Sequence, residues 1–337
     1  MYKVGMYGGT FDPLHLGHVN SIVEASTICE KLYVVLCYSS KSDKIDHKVR
    51  FKWLIETTKD MPSVIVKEVV SNNNNKDEYD WEKGRDDIQK VVGEHIDVVF
   101  AGSDYINRRL FERLYPKAKV HYFDRNILPI SSTKIKKNPF KYYEYIPNNV
   151  RTYYNKKVII VGTESCGKST LISNLAKIYN TNFLEEVGRD ICMDYGGIDN
   201  MYNETYMKIL LAHKVKEFEA IQHSNKVLFI DTDAIITLYY YLLAFEKKKD
   251  YDPNIVTLAE SLMSFNRYDK WIFLEPDVKW VKDPSRKYGD DTVRQKNNAM
   301  LKNIFKKHKI KYEVVSGSYY ERLIKVKTIV DNVLEGE

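Results

Sequence analysis

The sequence predicts an α/β protein of two domains, each built on an open parallel sheet, and three observations carry that expectation. At two places an apolar, strand-like run passes through a glycine-rich turn into a helical pattern, after Tyr2–Tyr7 and after Val158–Val161. Around them short apolar runs alternate with longer amphipathic stretches, as expected of parallel strands joined by crossover helices. With 337 residues the chain can bury two separate cores. The motif positions divide it into 1–137, a connector over 138–155, and 156–337.

The composition is that of a soluble globular chain, with 26 tyrosines. Basic residues number 24 against 20 acidic over 1–154, and 28 against 26 over 155–337. Neither half has the basic excess of a nucleic-acid binder, so DNA is not an expected partner. The slight positive balance suits small anionic substrates. Cys29, Cys37, Cys166 and Cys192 show no metal-ligand or C-x-x-C spacing, which predicts reduced thiols with neither disulfides nor structural zinc. No charged-then-apolar leader and no span-length apolar run is present; the expectation is a cytoplasmic chain away from membranes.

The first half opens with a strand over Tyr2–Tyr7 that runs into Gly8-Gly9-Thr10-Phe11-Asp12-Pro13-Leu14-His15-Leu16-Gly17-His18. In this H-x-G-H frame Gly17 permits close backbone approach, and His18 falls in the first turn of the helix that follows. Imidazoles there can donate hydrogen bonds to phosphate oxygens and stabilise charge that develops during group transfer. Leu32–Cys37, Ser63–Val70 and Asp97–Ala101 read as further strands, and His47–Thr58 as a helix containing Arg50 and Trp53. Gly102-Ser103-Asp104-Tyr105 then lies at the carboxyl end of a strand, where open α/β sheets bind ligands. Asn72–Asn75 with Lys76 and Asp77 reads as a polar loop with no chemistry. Trp81 has two readings, a packed ring, which is how tryptophans are mostly used, or a platform for an aromatic base.

These residues resemble the HxGH nucleotidyltransferase superfamily of adenylyltransferases, and Ile130-Ser131-Ser132-Thr133-Lys134-Ile135-Lys136 is similar to its second motif, I-S-x-T-x-I-R. The resemblance implies a Rossmann-like parallel sheet. It implies that Gly9, Thr10, Phe11, His15, His18, Ser132, Thr133 and Lys136 bind ATP, with Trp81 and Asp104 near the second substrate. Lys136 replaces the family's arginine; it neutralises charge but lacks the bidentate fork.

Asn138-Pro139-Phe140-Lys141-Tyr142-Tyr143-Glu144-Tyr145-Ile146-Pro147, then Arg151-Thr152-Tyr153-Tyr154, form an aromatic connector that predicts a packed junction. Val158–Val161 next leads into Gly162-Thr163-Glu164-Ser165-Cys166-Gly167-Lys168-Ser169-Thr170, a P-loop in its required strand–turn–helix context. Leu171, Leu175 and Ile178 share one face of the following helix. Backbone N–H groups from Glu164 to Thr170 would cradle phosphates, Lys168 would reach the β and γ phosphates, and Ser169 would hold Mg²⁺. Glu185-Glu186-Val187-Gly188-Arg189-Asp190 clusters carboxylates beside an arginine. Val227-Leu228-Phe229-Ile230-Asp231-Thr232-Asp233 is an apolar strand ending in acids. Asp231 reads as the residue orienting Mg²⁺ or its water, and Asp233 fits a helix N-cap. Trp271–Leu274 reads as another buried strand. Beyond it Trp280-Val281-Lys282-Asp283-Pro284-Ser285-Arg286 and Arg294 suit a lid, with Arg286 closing over the phosphates.

Taken together the motifs resemble the NadR-type bifunctional enzymes over nearly the whole chain, through the NPFKYYEYIP connector, GTESCGKST, the GRD segment, FIDTD and LEPDVKWV. The resemblance implies two reactions. The P-loop half would phosphorylate nicotinamide riboside with Mg²⁺-ATP, with Lys168 as the cation and Asp231, Asp190 or Glu186 as the base. The HxGH half would join the mononucleotide to AMP from a second ATP, making NAD and pyrophosphate. Arg189 and Tyr206 would contact the riboside, and a homo-oligomer is compatible with the pattern. Two departures stand out. Many relatives begin with a helix-turn-helix module, whereas Met1 here is one residue from the first strand, so repressor activity is not expected. The family tends to carry a tryptophan where Glu185 stands, which leaves Tyr202 and Tyr206 as candidates for stacking on nicotinamide. A coenzyme A synthase-like fusion and a non-catalytic nucleotide sensor are the alternatives.

Overall fold

A computed structural model describes residues 1–39, 43–71, 80–278 and 291–336, and the chain divides into two compact units, Met1–Tyr153 and Tyr154–Glu337. Each is built on five parallel strands, as the alternating pattern requires.

The first unit contains β1 (Tyr2–Gly9), β2 (Cys29–Tyr38), β3 (Val64–Val70), β4 (Val98–Gly102) and β5 (Lys119–Phe123) in the order β3-β2-β1-β4-β5. Its helices are α1 (Leu16–Ile28), α2 (His47–Thr58), α3 (Trp81–Val92), α4 (Leu110–Leu114), α5 (Ser132–Lys137) and α6 (Asn148–Tyr154). Strand order reverses between β1 and β4, so their carboxyl ends border a switch-point crevice. Val4, Met6, Val34, Val35, Val98 and Val99 are buried, consistent with a sheet covered on both faces. β5 has no counterpart among the expected strands; its alternating Lys-Val-His-Tyr-Phe is half-buried and shows no apolar run.

The connector packs as part of this unit. Asn149 Nδ2 donates to Trp53 O and Thr57 Oγ1, each at 3.1 Å. Tyr153 meets the Trp53 ring edge-on, and the Arg151 guanidinium lies 4.7 Å from the Tyr143 ring centre.

The second unit contains β6 (Lys156–Val161), β7 (Phe183–Leu184), β8 (Val227–Asp231), β9 (Lys270–Leu274) and β10 (Glu313–Val315) in the order β10-β9-β6-β8-β7. Around them lie α7 (Lys168–Ile178), α8 (Val187–Asp194), α9 (Asn203–Gln222), α10 (Ala234–Phe245), α11 (Pro253–Ser264), α12 (Asp291–Lys307) and α13 (Tyr319–Glu335). Central β6 and β8 are buried from Val158 to Val161 and from Val227 to Asp231. On α7, Leu171 and Leu175 face the core as expected, but Ile178 is 48% exposed; Ile172 and Ala176 complete that face instead. All four cysteines are free thiols. Among the described residues no helix is long and apolar enough to cross a membrane.

Candidate functional site

Two candidate sites form, one at the carboxyl edge of each sheet. In the first unit β1 ends at Gly9 and the chain turns so that His15 caps α1, its Nδ1 accepting from His18 N at 3.4 Å. The two imidazoles stack with centres 3.7 Å apart. A Cβ on Gly17 would come within 3.0 Å of the His15 ring, so this close approach requires glycine. Because Nδ1 of His15 accepts, its proton sits on Nε2, available to a ligand oxygen. Burial lowers the His15 pKa to about 4, with the nearby Arg125 charge adding to the effect. His18 is pushed down further, by burial first and then by His15 and Arg125. Both rings are neutral near pH 7. Nδ1 of His18 is buried with no hydrogen-bond partner.

The second motif closes on the first from far along the chain. Ser132 Oγ donates to Pro13 O at 3.0 Å, and Lys136 Nζ meets Asp12 Oδ2 at 2.8 Å. Ser131 caps α5, while Thr133 is exposed in its first turn. Lys136 is thus held by a carboxylate within the protein; its first role is to neutralise the buried Asp12. Phe11 differs from expectation too. Its ring is buried edge-on against His18 and Tyr7, so it supports the histidine and does not itself face a nucleotide. Thr10 stays exposed; its carbonyl accepts from Arg50 Nη1 at 2.6 Å, and Nη2 of that fully buried arginine pairs with Asp43 at 2.6 Å.

Asp104 follows β4 and pairs with Arg125 Nε at 3.1 Å, beyond β5. Arg50 and Arg125 escaped the motif reading. Arg50 was legible only as a helix residue, and Arg125 follows a strand too polar to be seen. Trp81 begins α3, about one-third exposed, with the Tyr105 and Phe111 rings edge-on at 6.0 and 6.1 Å. It is neither fully packed nor a bare platform.

In the second unit the P-loop adopts backbone conformations that its residues must tolerate. Gly162 has φ 151° and Gly167 φ 84°, and a Cβ on Gly162 would lie 2.7 Å from Leu274 O. Lys168 Nζ, buried, donates to Gly162 O and Thr163 O at 3.1 Å each. Burial opposes its charge, but Cys166, Asp231, Glu186 and Glu164 outweigh that and raise its pKa. Ser169 Oγ donates to Asp231 Oδ2 at 2.7 Å, joining the P-loop helix to the end of β8. Asp231 is 1% exposed, and Oδ1 has no hydrogen-bond partner. Burial, with Glu186, lifts its pKa to about 6 against the pull of Lys168, Ser169 and Arg189. Asp233 caps α10, accepting from Ile235 N at 3.1 Å.

A cleft runs from Glu164, Ser165 and the P-loop through Thr170 to Glu186 and Arg189 on α8. Asp190 does not line it. One residue further round α8, it is exposed, because a helix turns about 100° per residue. Asp190 therefore faces away from the cleft. Tyr206 does line the cleft, but its ring is buried edge-on against Tyr241 and Phe245 and forms wall. Tyr202 is exposed beside Tyr195 and lies outside the cleft lining. Two residues that motif reading missed, Tyr240 on α10 and His213 on α9, face it instead. Arg322 of α13 was missed as well; almost fully buried, it donates to Cys166 O at 2.5 Å and to Glu275 O at 2.9 Å, bracing the P-loop against β9. Of the lid arginines, Arg286 lies outside the described residues, whereas Arg294 is buried on α12 and donates to Val278 O.

A cytidylyltransferase-like family model matches residues 6–138, and an AAA-domain family model matches 157–322. The trifunctional NAD biosynthesis/regulator protein NadR of Salmonella typhimurium is 29% identical over 336 residues, covering 95% of this chain and 80% of that protein. The similarity to NadR thus runs over nearly the whole chain. The NadR protein of Escherichia coli is 28% identical over 94% of the chain. A crystal structure of a NadR protein in complex with NR superposes with a TM-score of 0.81 at 20% identity, covering 98% of this chain and 95% of that one, a likeness of fold. The phosphopantetheine adenylyltransferase of Helicobacter pylori is 40% identical, but over 65 residues, 19% of this chain and 41% of its own. Glu185, the residue at which the sequence departs from the pattern it resembles, is exposed.

Proposed function

We propose that the protein makes NAD in two ATP-driven steps, phosphorylating nicotinamide riboside in its second unit and adenylylating the mononucleotide in its first. The observation that carries this reading is the NadR match, which runs through both nucleotide sites over 95% of the chain. The phosphopantetheine adenylyltransferase match extends over 65 residues, 19% of the chain, so a coenzyme A synthase is disfavoured.

In the first unit the phosphate of the mononucleotide attacks the α-phosphorus of ATP while the bond to pyrophosphate breaks. The neutral His15 and His18 donate to oxygens that gain charge in transfer, and no protein group needs to form a covalent bond. Gly9 and Thr10 border the phosphates, and Ser132 and Thr133 add donors from the start of α5.

In the second unit Lys168 exchanges the Gly162 and Thr163 carbonyls for phosphate oxygens. Asp231 is engaged by Ser169 and Asp190 lies outside the cleft, so of these three carboxylates Glu186 is the one that accepts the 5′-hydroxyl proton. Arg189 lies beside the transferring phosphoryl group. The buried, unpartnered Oδ1 of Asp231 and the Ser169 hydroxyl are oxygen donors that would hold one Mg²⁺. When bound, Mg²⁺ neutralises charge on the β and γ phosphates.

The test is NAD formation by purified protein with Mg²⁺-ATP and either nicotinamide riboside or its mononucleotide. NAD from both is expected. NAD from the mononucleotide alone would overturn the kinase assignment, and NAD from neither would overturn both.

A further inference from the structure

One turn into α13, Arg322 is 1% exposed, and all three of its guanidinium nitrogens are engaged. Nε donates to Gly317 O at 2.8 Å, Nη1 to Cys166 O at 2.5 Å and Nη2 to Glu275 O at 2.9 Å. Nη2 also pairs with Asp277, whose other oxygen accepts from Gly317 N at 2.7 Å. One side chain thus ties the P-loop to the exit of β9 and to the turn before α13. Holding acceptors on three segments at once takes a planar fork, which lysine lacks.

The bond to Cys166 O differs from the other holds on the P-loop. Gly162 O and Thr163 O accept from Lys168 Nζ, a donor that bound phosphates would draw away. Cys166 O is held by a residue outside the cleft lining, whereas Gly167 lines the cleft. The carbonyl of Cys166 and the N–H of Gly167 belong to one trans peptide, so they point in opposite directions. Drawing the oxygen toward Arg322 turns the N–H away from it. Left alone, this peptide could rotate, because Gly167, at φ 84°, has a freedom other residues lack. No side chain can restrict it from within, since a Cβ there would lie 2.8 Å from the Tyr319 ring. We infer that Arg322 is a positioning residue for the kinase: by holding Cys166 O it aims the Gly167 N–H at a phosphate of bound ATP and sets the affinity for that nucleotide. A cation on the carbonyl also polarises the amide and strengthens it as a donor. The inference rests on the kinase reading above.

The experiment reads that amide directly. Cys166 is the one cysteine in the sequence followed by glycine, so carbonyl-¹³C cysteine with ¹⁵N glycine selects the Gly167 N–H alone in an NMR spectrum of the full chain. Adding Mg²⁺-ADP should move its proton strongly downfield in the unaltered protein, and Arg322→Gln should lose most of that movement. In the same variant KM for ATP in riboside phosphorylation should rise about tenfold. KM for the riboside, and KM for ATP in adenylylation of the mononucleotide, should stay within about twofold. An undiminished shift in Arg322→Gln would overturn the inference. So would a lower Tm with KM for ATP unchanged, which would make Arg322 a structural brace only. Should Arg322→Gln not fold, Arg322→Lys keeps the charge beside Asp277 without the fork, and the same loss of the Gly167 shift is expected of it. Riboside phosphorylation by the unaltered protein with no movement of the Gly167 signal would overturn the inference but leave the kinase reading intact. Neither phosphorylation nor movement would remove the two together.

Discussion

The two candidate phosphate sites are built by opposite electrostatic means. In the first, the cations near the site are already paired, Lys136 with Asp12 and Arg125 with Asp104, and the groups left for a nucleotide are two neutral imidazoles. In the second, a buried ammonium keeps its charge because Asp231, Glu186 and Glu164 surround it. Burial works against charge in both places. His15 and His18 stack on each other near a guanidinium, so nothing restores their charge; Lys168 sits among acids, so its charge survives. The lesson is that neutral fixed donors need no compensating charge, while a lysine that must stay charged when buried needs opposite charges close.

Lys168→Ala tests this contrast most severely. Riboside phosphorylation should fall on the order of 10²–10³-fold, with adenylylation of the mononucleotide unchanged. His18→Ala should do the converse, lowering NAD formation from the mononucleotide about 10²-fold and sparing the kinase. Rates of both reactions on both folded variants check the pair; a variant that silenced both would break the picture of separate sites.

The pH profiles should differ as well. Asp231 has a folded pKa of about 6, so kinase kcat/KM should fall as pH drops below that value, by about tenfold per unit. The His15 pKa of about 4 predicts no such limb near pH 6 for adenylylation. The same shift carries a stability consequence. A folded pKa above the ordinary carboxylate value contributes stability that is present at low pH and lost as pH rises through about 6. Asp231→Asn should therefore stabilise the protein at pH 7.5 by about 1–3 kcal/mol while removing kinase activity, read by denaturant unfolding beside the assay. The smallest effect expected is that of Lys136→Met, which strands the buried Asp12. Stability should drop by about 1–2 kcal/mol, seen as a lower Tm of the first unit's transition, with kinase activity unaffected.

Much of each site was legible in the sequence. The H-x-G-H frame, the P-loop and the acids ending β8 are short segments whose chemistry and backbone geometry coincide. What escaped was whatever depends on distant packing. Arg189 and Asp190 are adjacent in sequence, yet one lines the cleft and the other faces solvent. Phe11 lies inside the motif but serves as support beneath His18. His213 and Tyr240 sit within helices whose apolar periodicity gives no sign that a cleft opens beside them. β5, β7 and β10 are only two to five residues long or half-buried, too little for an alternation signal.

By itself the sequence determined the two glycine-rich turns and the strands that feed them, because φ beyond the reach of other residues and close backbone approach are local demands. It also determined which residue types would stand at those turns. Only the tertiary structure decided their company: Lys136 on Asp12, Ser169 on Asp231, and Arg322 on the P-loop carbonyl of Cys166. These partners are 124, 62 and 156 residues apart. Burial and pairing set the charge each group carries, and both arise only when distant segments are brought together around a common core.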